Sequence, residues 1–461
     1  MNIKLNNFAL IFLVLLPSLL AVERSFGEDI SSFPENKHIQ AAFSNLSAIM
    51  QAEKESANKN VKIKPAIRGD IFGRKRRAIH PFITIRGIYS DNIYNDDDGK
   101  ESDFITHISP GFWMSYPASR RKNVELRTST MVPGGITKYN VKSLRRTHYR
   151  AYFLYGHDRE IFAGNSSEST GSHRAVASYQ HRFGKSTLSI ADSLSMSHDK
   201  RGESGNPELN EYSSNILSIS FDYIKSRKFR YNLGYSLFSP DYSNGASEFR
   251  SRSDSSLTGA VFYRIMPKTS ILAEYRYIDI SYSGEERLSG SEHQLYVGVN
   301  WMMTAKSSGT AKIGYGLKQF DSLSSDDHSD LYLSLDMNHK LSSRNRMSLS
   351  LSRRTTETNH RDSLFIISNE LSLSLIHRYS PKTTFSTNLD FTADNYLGDM
   401  PAVTPKQEES NNTLGLSLFV DYRINRVFTA GAGYSYRNKK AEPSTFDYTS
   451  NEVFMHVSAS L

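Results

Sequence analysis

The chain contains no cysteine, which removes disulfide frameworks, thiolate metal sites and thiol nucleophiles from consideration. Beyond its first residues it also lacks long apolar runs: no stretch approaches the ~20 consecutive apolar residues that a membrane-spanning helix requires. Hydrophobic residues make up 38% of the 461 positions and the mean hydropathy is −0.49, a poor match to a soluble multi-domain enzyme. Catalytic signatures are missing as well. There is no Gly-x-Ser-x-Gly elbow and the histidines are scattered one at a time, so the chain is read as a non-enzyme without cofactors. The acidic run Asp96-Asp97-Asp98 lacks the alternate spacing of a calcium loop, and no metal site is expected. Gly431 and Gly433 alternate along a strand pattern with no phosphate-binding loop around them. The formal charge of +8 is dispersed, and turns that face lipid headgroups account for it better than nucleic acid does.

What the chain does have is alternation. Tyr and Phe are abundant, 26 and 25, and the apolar residues stand singly between polar ones. A barrel with a wet lumen requires this, because only every second strand residue faces lipid. The first 27 residues read as a secretory signal peptide, with Lys4 at the positive end, an apolar stretch over 8–21 and the small-residue site Ser25-Phe26-Gly27. Residues 28–79 form a periplasmic arm. Within it Ile39, Ala42, Phe43, Leu46, Ile49 and Met50 give one apolar face of an amphipathic helix, and Arg74-Lys75-Arg76-Arg77 closes the arm with a basic run.

From residue 80 to 461 the pattern is strand, tight turn, strand, longer polar loop, repeated. Tight turns are expected at 117–121, 184–185, 226–227, 267–268, 306–308, 343–344, 381–382 and 425–426, nearly all with Lys or Arg. Longer connections lie between them, such as 94–102, 198–212, 240–253, 322–329, 355–368, 395–412 and 437–446. Short turns on one rim and long loops on the other is the asymmetry of a bacterial outer-membrane barrel, with the short side periplasmic. The strands split cleanly: Leu331, Leu333, Leu335 and Met337 against Tyr332, Ser334, Asp336 and Asn338, for example. Tyr223, Tyr263, Trp301, Tyr379 and Tyr422 stand near the short turns, as an interfacial girdle would. Three strands over 82–132 and fifteen over 174–461 make about eighteen; one more pair in 133–173 would make twenty. The fold class is therefore all-β: a closed antiparallel transmembrane β-barrel, preceded by a short helical arm.

A closed barrel leaves no ladder edge unbonded in lipid, so the hairpin over 80–116 is expected to pair with the last segment, 453–461. That hairpin carries Tyr89-Ser90-Asp91-Asn92-Ile93-Tyr94, Glu101-Ser102-Asp103-Phe104-Ile105-Thr106 and Ile108-Ser109-Pro110-Gly111. Together these resemble the opening hairpin of outer-membrane β-barrel porins of the porin 2 type. The resemblance implies an outer-membrane exit for polysaccharide, since members frequently belong to exopolysaccharide or capsule export systems. Read on its own chemistry, the motif brackets a loop with polar turn formers, and Pro110, lacking an amide donor, should leave a bulge or an unpaired position.

Function should lie in the lumen. The inward candidates are Arg230, Arg264, Glu274, Arg276, Lys312, Tyr332, Asp336, Asp390, Phe419, Asp421 and Arg423. Their mixed charge suits a hydrated polar solute. Two functions stay open: passage of such a solute, an exported polysaccharide first, or a plugged docking barrel that anchors envelope partners. Expected partners are outer-membrane lipid and lipopolysaccharide, the polysaccharide, and periplasmic export proteins; nucleic acid is not among them.

Overall fold

The computed structural model describes residues 33–34 and 78–461, except 120–123, 142–143, 145–146, 202–208, 244, 302–305, 323–326 and 400–408. The helix expected within 28–79 and the signal segment lie outside the described residues. Two residues before the barrel, β1 (Phe33–Pro34), pair in parallel with Ser197 and His198. The wall opens with β2 (Ile79–Ser90) and β3 (Asp103–Tyr116), and resumes after an inserted hairpin with β6 (Tyr149–Phe162), β7 (Thr170–Phe183), β8 (Ser186–His198), β9 (Glu211–Ile224) and β10 (Phe229–Tyr242). It continues through β11 (Arg252–Met266), β12 (Thr269–Tyr282), β13 (Gly290–Trp301), β14 (Ser307–Phe320), β15 (His328–Lys340) and β16 (Asn345–Glu357). The last strands are β17 (Ser363–Arg378), β18 (Thr383–Asp399), β19 (Ser410–Arg423), β20 (Phe428–Glu442) and β21 (Tyr448–Ser460). Apart from β1, the sheet thus holds eighteen strands, each antiparallel to its neighbours. β21 pairs back onto β2, from Phe82 opposite Ser460 to Ser90 opposite Glu452, and the cylinder closes.

Period-2 alternation decides which face meets lipid. On β10, Leu233, Tyr235 and Leu237 are 56%, 44% and 41% exposed while Ser236 and Phe238 between and beyond them are buried; an apolar row can stand that bare only against hydrocarbon. The connections after β7, β9, β11, β15, β17 and β19 are short, and this rim is the periplasmic one. Lysines of these turns lie over girdle rings, Lys228 5.9 Å from the Tyr263 centroid and Lys382 5.8 Å from that of Tyr422, as cationic and aromatic residues do at headgroup depth.

The chain does not pass from β3 straight back into the wall through the tight turn expected at 117–121. Residues 117–148 instead carry a separate two-stranded sheet, β4 (Val124–Thr128) and β5 (Ile136–Val141). The third wall strand, expected before residue 132, is β6 at 149–162. Eighteen strands hold because two errors compensate: 82–132 contributes two wall strands, and 133–173 contributes one of its own. The reason lies in packing. Leu126 of β4 buries against Ala191, Ile216 and Phe238, which point inward from β8, β9 and β10, so the hairpin belongs to the lumen and not to the wall.

At the closing seam the signature hairpin is a latch. The Asp91 carboxylate accepts the backbone and side-chain N–H of Asn451, both at 2.7 Å. Asn92 donates to Thr449 O at 3.0 Å and to Asp96 O at 2.6 Å. Asp103 accepts the amides of Gly164 and Asn165 at 2.8 Å, pinning the next loop. The ladder from β3 to β6 skips Ser109 and Pro110 and resumes in the same register: an unpaired position and no bulge. Removing two charge-assisted bonds in Asp91→Ala should cost about 2–3 kcal/mol. The temperature at which the barrel loses its compact gel mobility then falls by several degrees, and an unchanged temperature would refute the latch.

Candidate functional site: the lumen and its hairpin

The β4–β5 hairpin enters from the short-turn rim, between Tyr116 and Tyr149, and its tip reaches the long-loop end of the wall, where Asp254 stands two residues into β11. Gly134 and Gly135 form the tip at φ +69° and +72°, values that glycine adopts without steric cost. A Cβ on Gly135 would also lie 2.4 Å from the Phe238 ring, so the backbone rests flat on that aromatic face. Val124, Ile136 and Tyr139 flank the apolar contact; burial pushes the Tyr139 phenol up, and the charge of Asp222 adds to the shift.

Polar groups of the wall hold the hairpin by its backbone. Asp254 Oδ2 accepts from the Gly134 amide at 2.8 Å, and the Glu357 amide donates to Met131 O at 2.7 Å. Arg252 donates to Val132 O at 3.4 Å, Arg174 to Leu126 O at 2.6 Å and Arg182 to Leu144 O at 2.8 Å. Around the tip runs a belt of buried pairs. Lys318 Nζ lies 2.7 Å from Glu357 Oε1, whose Oε2 accepts from Tyr282 Oη at 2.6 Å. Arg252 pairs with Asp254 at 3.0 Å, and Arg250 with Asp199. Fully buried Glu292 accepts at one oxygen from Tyr332, Thr355 and Gln294 within 2.8 Å. Burial of the Lys318–Glu357, Arg252–Asp254 and Arg250–Asp199 pairs is tolerated because each charge meets its opposite; Glu292 is held by neutral donors at Oε1, and its Oε2 has no hydrogen-bond partner among the described residues.

Above the belt, Arg361 reaches across to donate to Gly245 O at 3.3 Å and lies 5.1 Å from the Phe249 ring centroid. Buried His360 packs its ring against Tyr396 and Phe446. With Leu288, Leu364 and Phe365 these loops roof the long-loop mouth. Beside the seam, Ile88, His107, Glu160, Phe162, Arg201 and Glu452 line a cavity of about 90 Å³, room for a few waters. Behind His107, Asp158 stands between Ser109, which donates to its Oδ1, and His107 Nδ1 at 2.9 Å from Oδ2. A nucleophile relay needs the histidine next to the serine; here the carboxylate occupies that place.

The hairpin fills one sector, against β7 to β12, and beyond it meets the end of β16 through the Glu357 amide. Along β15 and β16 the inward Asp336, Asn338 and Ser350 are exposed, so that side of the lumen is wet. The sequence candidates divide between these sectors. Glu274 and Lys312 face each other at 2.9 Å, with Lys312 4.8 Å from the Tyr296 centroid. Arg276 donates to Thr258 at 3.3 Å, and Arg230 stacks 3.8 Å over Phe262; Arg264 is exposed. Asp336 accepts from Ser350 and Asp390 from Ser372. Asp421 lies 3.3 Å from His456, and Phe419 packs on Phe454 near the seam. Arg423 donates to Pro381 O at the short-turn rim, and Tyr332 belongs to the Glu292 group. The residues that hold the hairpin, Arg174, Arg182, Arg252, Asp254 and Glu357, were not among the candidates. Pro133-Gly134-Gly135, a strong turn signal between two short alternating segments, was the mark that could have found it.

A closed eighteen-strand cylinder with an apolar outer belt, a polar wet lumen and one short-turn rim is an outer-membrane β-barrel porin. The family comparison agrees. The chain belongs to the family described as "Putative beta-barrel porin 2", whose model matches residues 228–461, and its place is the bacterial outer membrane. Similar solved structures include a BenF-like porin from Pseudomonas fluorescens Pf-5, at 9% identity over 83% of this chain and 99% of that one, with a TM-score of 0.44. Pseudomonas aeruginosa opdK gives 8%, 83%, 99% and 0.43, and Pseudomonas aeruginosa OccK2 (OpdF) in complex with glucuronate gives 9%, 83%, 98% and 0.44. No curated protein matches the chain.

Proposed function

We propose that the barrel is a gated outer-membrane passage for an exported polysaccharide, closed when the β4–β5 hairpin lies in the lumen. The observation that carries this reading is the division of the lumen: a wet, hydroxyl-lined sector beside one filled by a hairpin that joins the wall covalently only at the short-turn rim. Serines and paired charges on an inner wall can exchange hydrogen bonds with a sugar chain without binding it tightly, as conduction requires. The tether enters from the periplasmic side, so an export partner there can act on it. The second reading, a plugged barrel that anchors envelope proteins, is favoured by the same hairpin if it never leaves. Planar-bilayer recording separates the two. The full chain should stay mostly closed, and a chain with 124–144 replaced by a short Gly-Ser linker should conduct steadily. A folded linker variant that carries no current would sink the passage.

A further inference from the structure

Two guanidinium groups in the hairpin's socket have the wrong kind of partner. Arg174 and Arg182 point inward from β7, and among the described residues neither pairs with a carboxylate; their acceptors are the carbonyls of Leu126 and Leu144. The hairpin's Glu125 acts on Arg174 only from a distance, because it pairs directly with Arg127 at 2.8 Å and Lys138 at 3.4 Å. A guanidinium fork matches a carboxylate bidentately and binds it far better than a carbonyl. Withdrawal of the hairpin, together with Leu144 just beyond its end, takes the carbonyl from each arginine and opens both guanidinium groups to the lumen, where an anion is a stronger partner than water. The rest of the socket fits a sugar. Phe238 offers the flat face on which the Gly135 backbone now rests, Asp254 offers a hydroxyl acceptor and the Glu357 amide a donor.

We propose that the hairpin is a tethered stand-in for the solute, and that the solute it stands in for is a carboxylate-bearing, polyanionic polysaccharide. This rests on the passage reading above and adds the substrate's charge and its contact residues. A neutral glycan would satisfy Phe238 and Asp254 but leave the arginines unpaired; a polycation would be repelled by them.

The test uses the linker variant in planar bilayers, with linear oligogalacturonate and a maltooligosaccharide of equal length as blockers. The anionic oligomer should block half the current at a concentration about tenfold lower, a difference of ~1.4 kcal/mol. Adding Arg174→Gln and Arg182→Gln in the same background should erase that difference. Equal block by both sugars, or an anionic preference that survives the glutamines, overturns the proposal while leaving passage intact; a folded channel that never opens overturns passage itself. The full chain supplies a second measurement that does not depend on the linker variant folding. In proteoliposomes oligogalacturonate should speed trypsin cleavage at Arg127 and Lys138 by displacing the hairpin, and the maltooligosaccharide should not. Equal rates with both would again overturn it.

Discussion

A chain carrying Gly134→Cys together with Ser256→Cys should be silent in planar bilayers until a reductant is added. A Cβ built on Gly134 lies 3.4 Å from the Ser256 Cβ, close to the ~3.5–4.5 Å spacing that a disulfide spans. The chain has no native cysteine to compete, and the periplasm is oxidising enough to form the bond during export. The left-handed backbone at Gly134 charges the new side chain about 1–2 kcal/mol, so the reduced double variant should gate slightly more readily than the parent. Oxidation then reverses the sign, pinning the tip to β11 and holding the hairpin down. The expected record is no opening events when oxidised and openings at or above the parental rate when reduced, with the crosslink verified by its gel shift. Current that ignores a verified crosslink would place the conducting path away from the hairpin and remove its role as a gate.

The wall was legible because its rule is local. Each strand obeys the same period of two under the same solvent on each side, so Leu233, Tyr235 and Leu237 announce lipid without any knowledge of their neighbours. The seam was legible for a second reason: closure is a topological demand, and only the first and last strands can meet it. The hairpin obeys neither constraint. Its strands alternate as wall strands do, and what makes it a plug is the identity of the surface it meets, Ile216 and Phe238 on wall positions that elsewhere carry Ser or Asp. Those two inward apolar residues read in isolation as noise in an alternating pattern. The same limit applied to the lumen candidates. An inward Arg on β7 and an inward Arg on β10 look alike in sequence, yet Arg174 reaches the Leu126 carbonyl of the inserted hairpin and Arg230 stacks on Phe262, its register partner on the neighbouring β11, because the outcome depends on what the fold sets opposite each side chain.

The belt around the tip explains why the hairpin stays in place without many contacts of its own. Its backbone donors and acceptors are met by side chains already committed to one another: Asp254 is held by Arg252, and Glu357 by Lys318 and Tyr282. Such a network positions its members far more sharply than single flexible side chains would. The hairpin therefore meets a preformed socket and gives up little of the wall's order on leaving.

Breaking that network at its most buried pair should have the largest effect on the closed state. Glu357 and Lys318 are 1% and 2% exposed, and Glu357→Ala would strand the Lys318 ammonium, remove the acceptor of the Tyr282 hydroxyl and loosen the β16 end whose amide holds Met131. Leaving one buried charge unpaired costs about 3–5 kcal/mol. Because the cost falls on the hairpin's socket, the closed state should lose part of it, and a loss of even ~1.4 kcal/mol multiplies the open-to-closed ratio by ten. Replacing both partners with apolar residues of similar shape, Lys318→Met with Glu357→Leu, should restore most of the stability, since neither charge is then left bare. The two variants thus make opposite claims. Thermal unfolding should fall sharply in the first and recover in the second, and open probability should rise in the first and fall back toward the parent in the second. If both variants open equally, the ion pair sets the barrel's stability alone, and the hairpin is held by its apolar contact with Phe238 and Ile216.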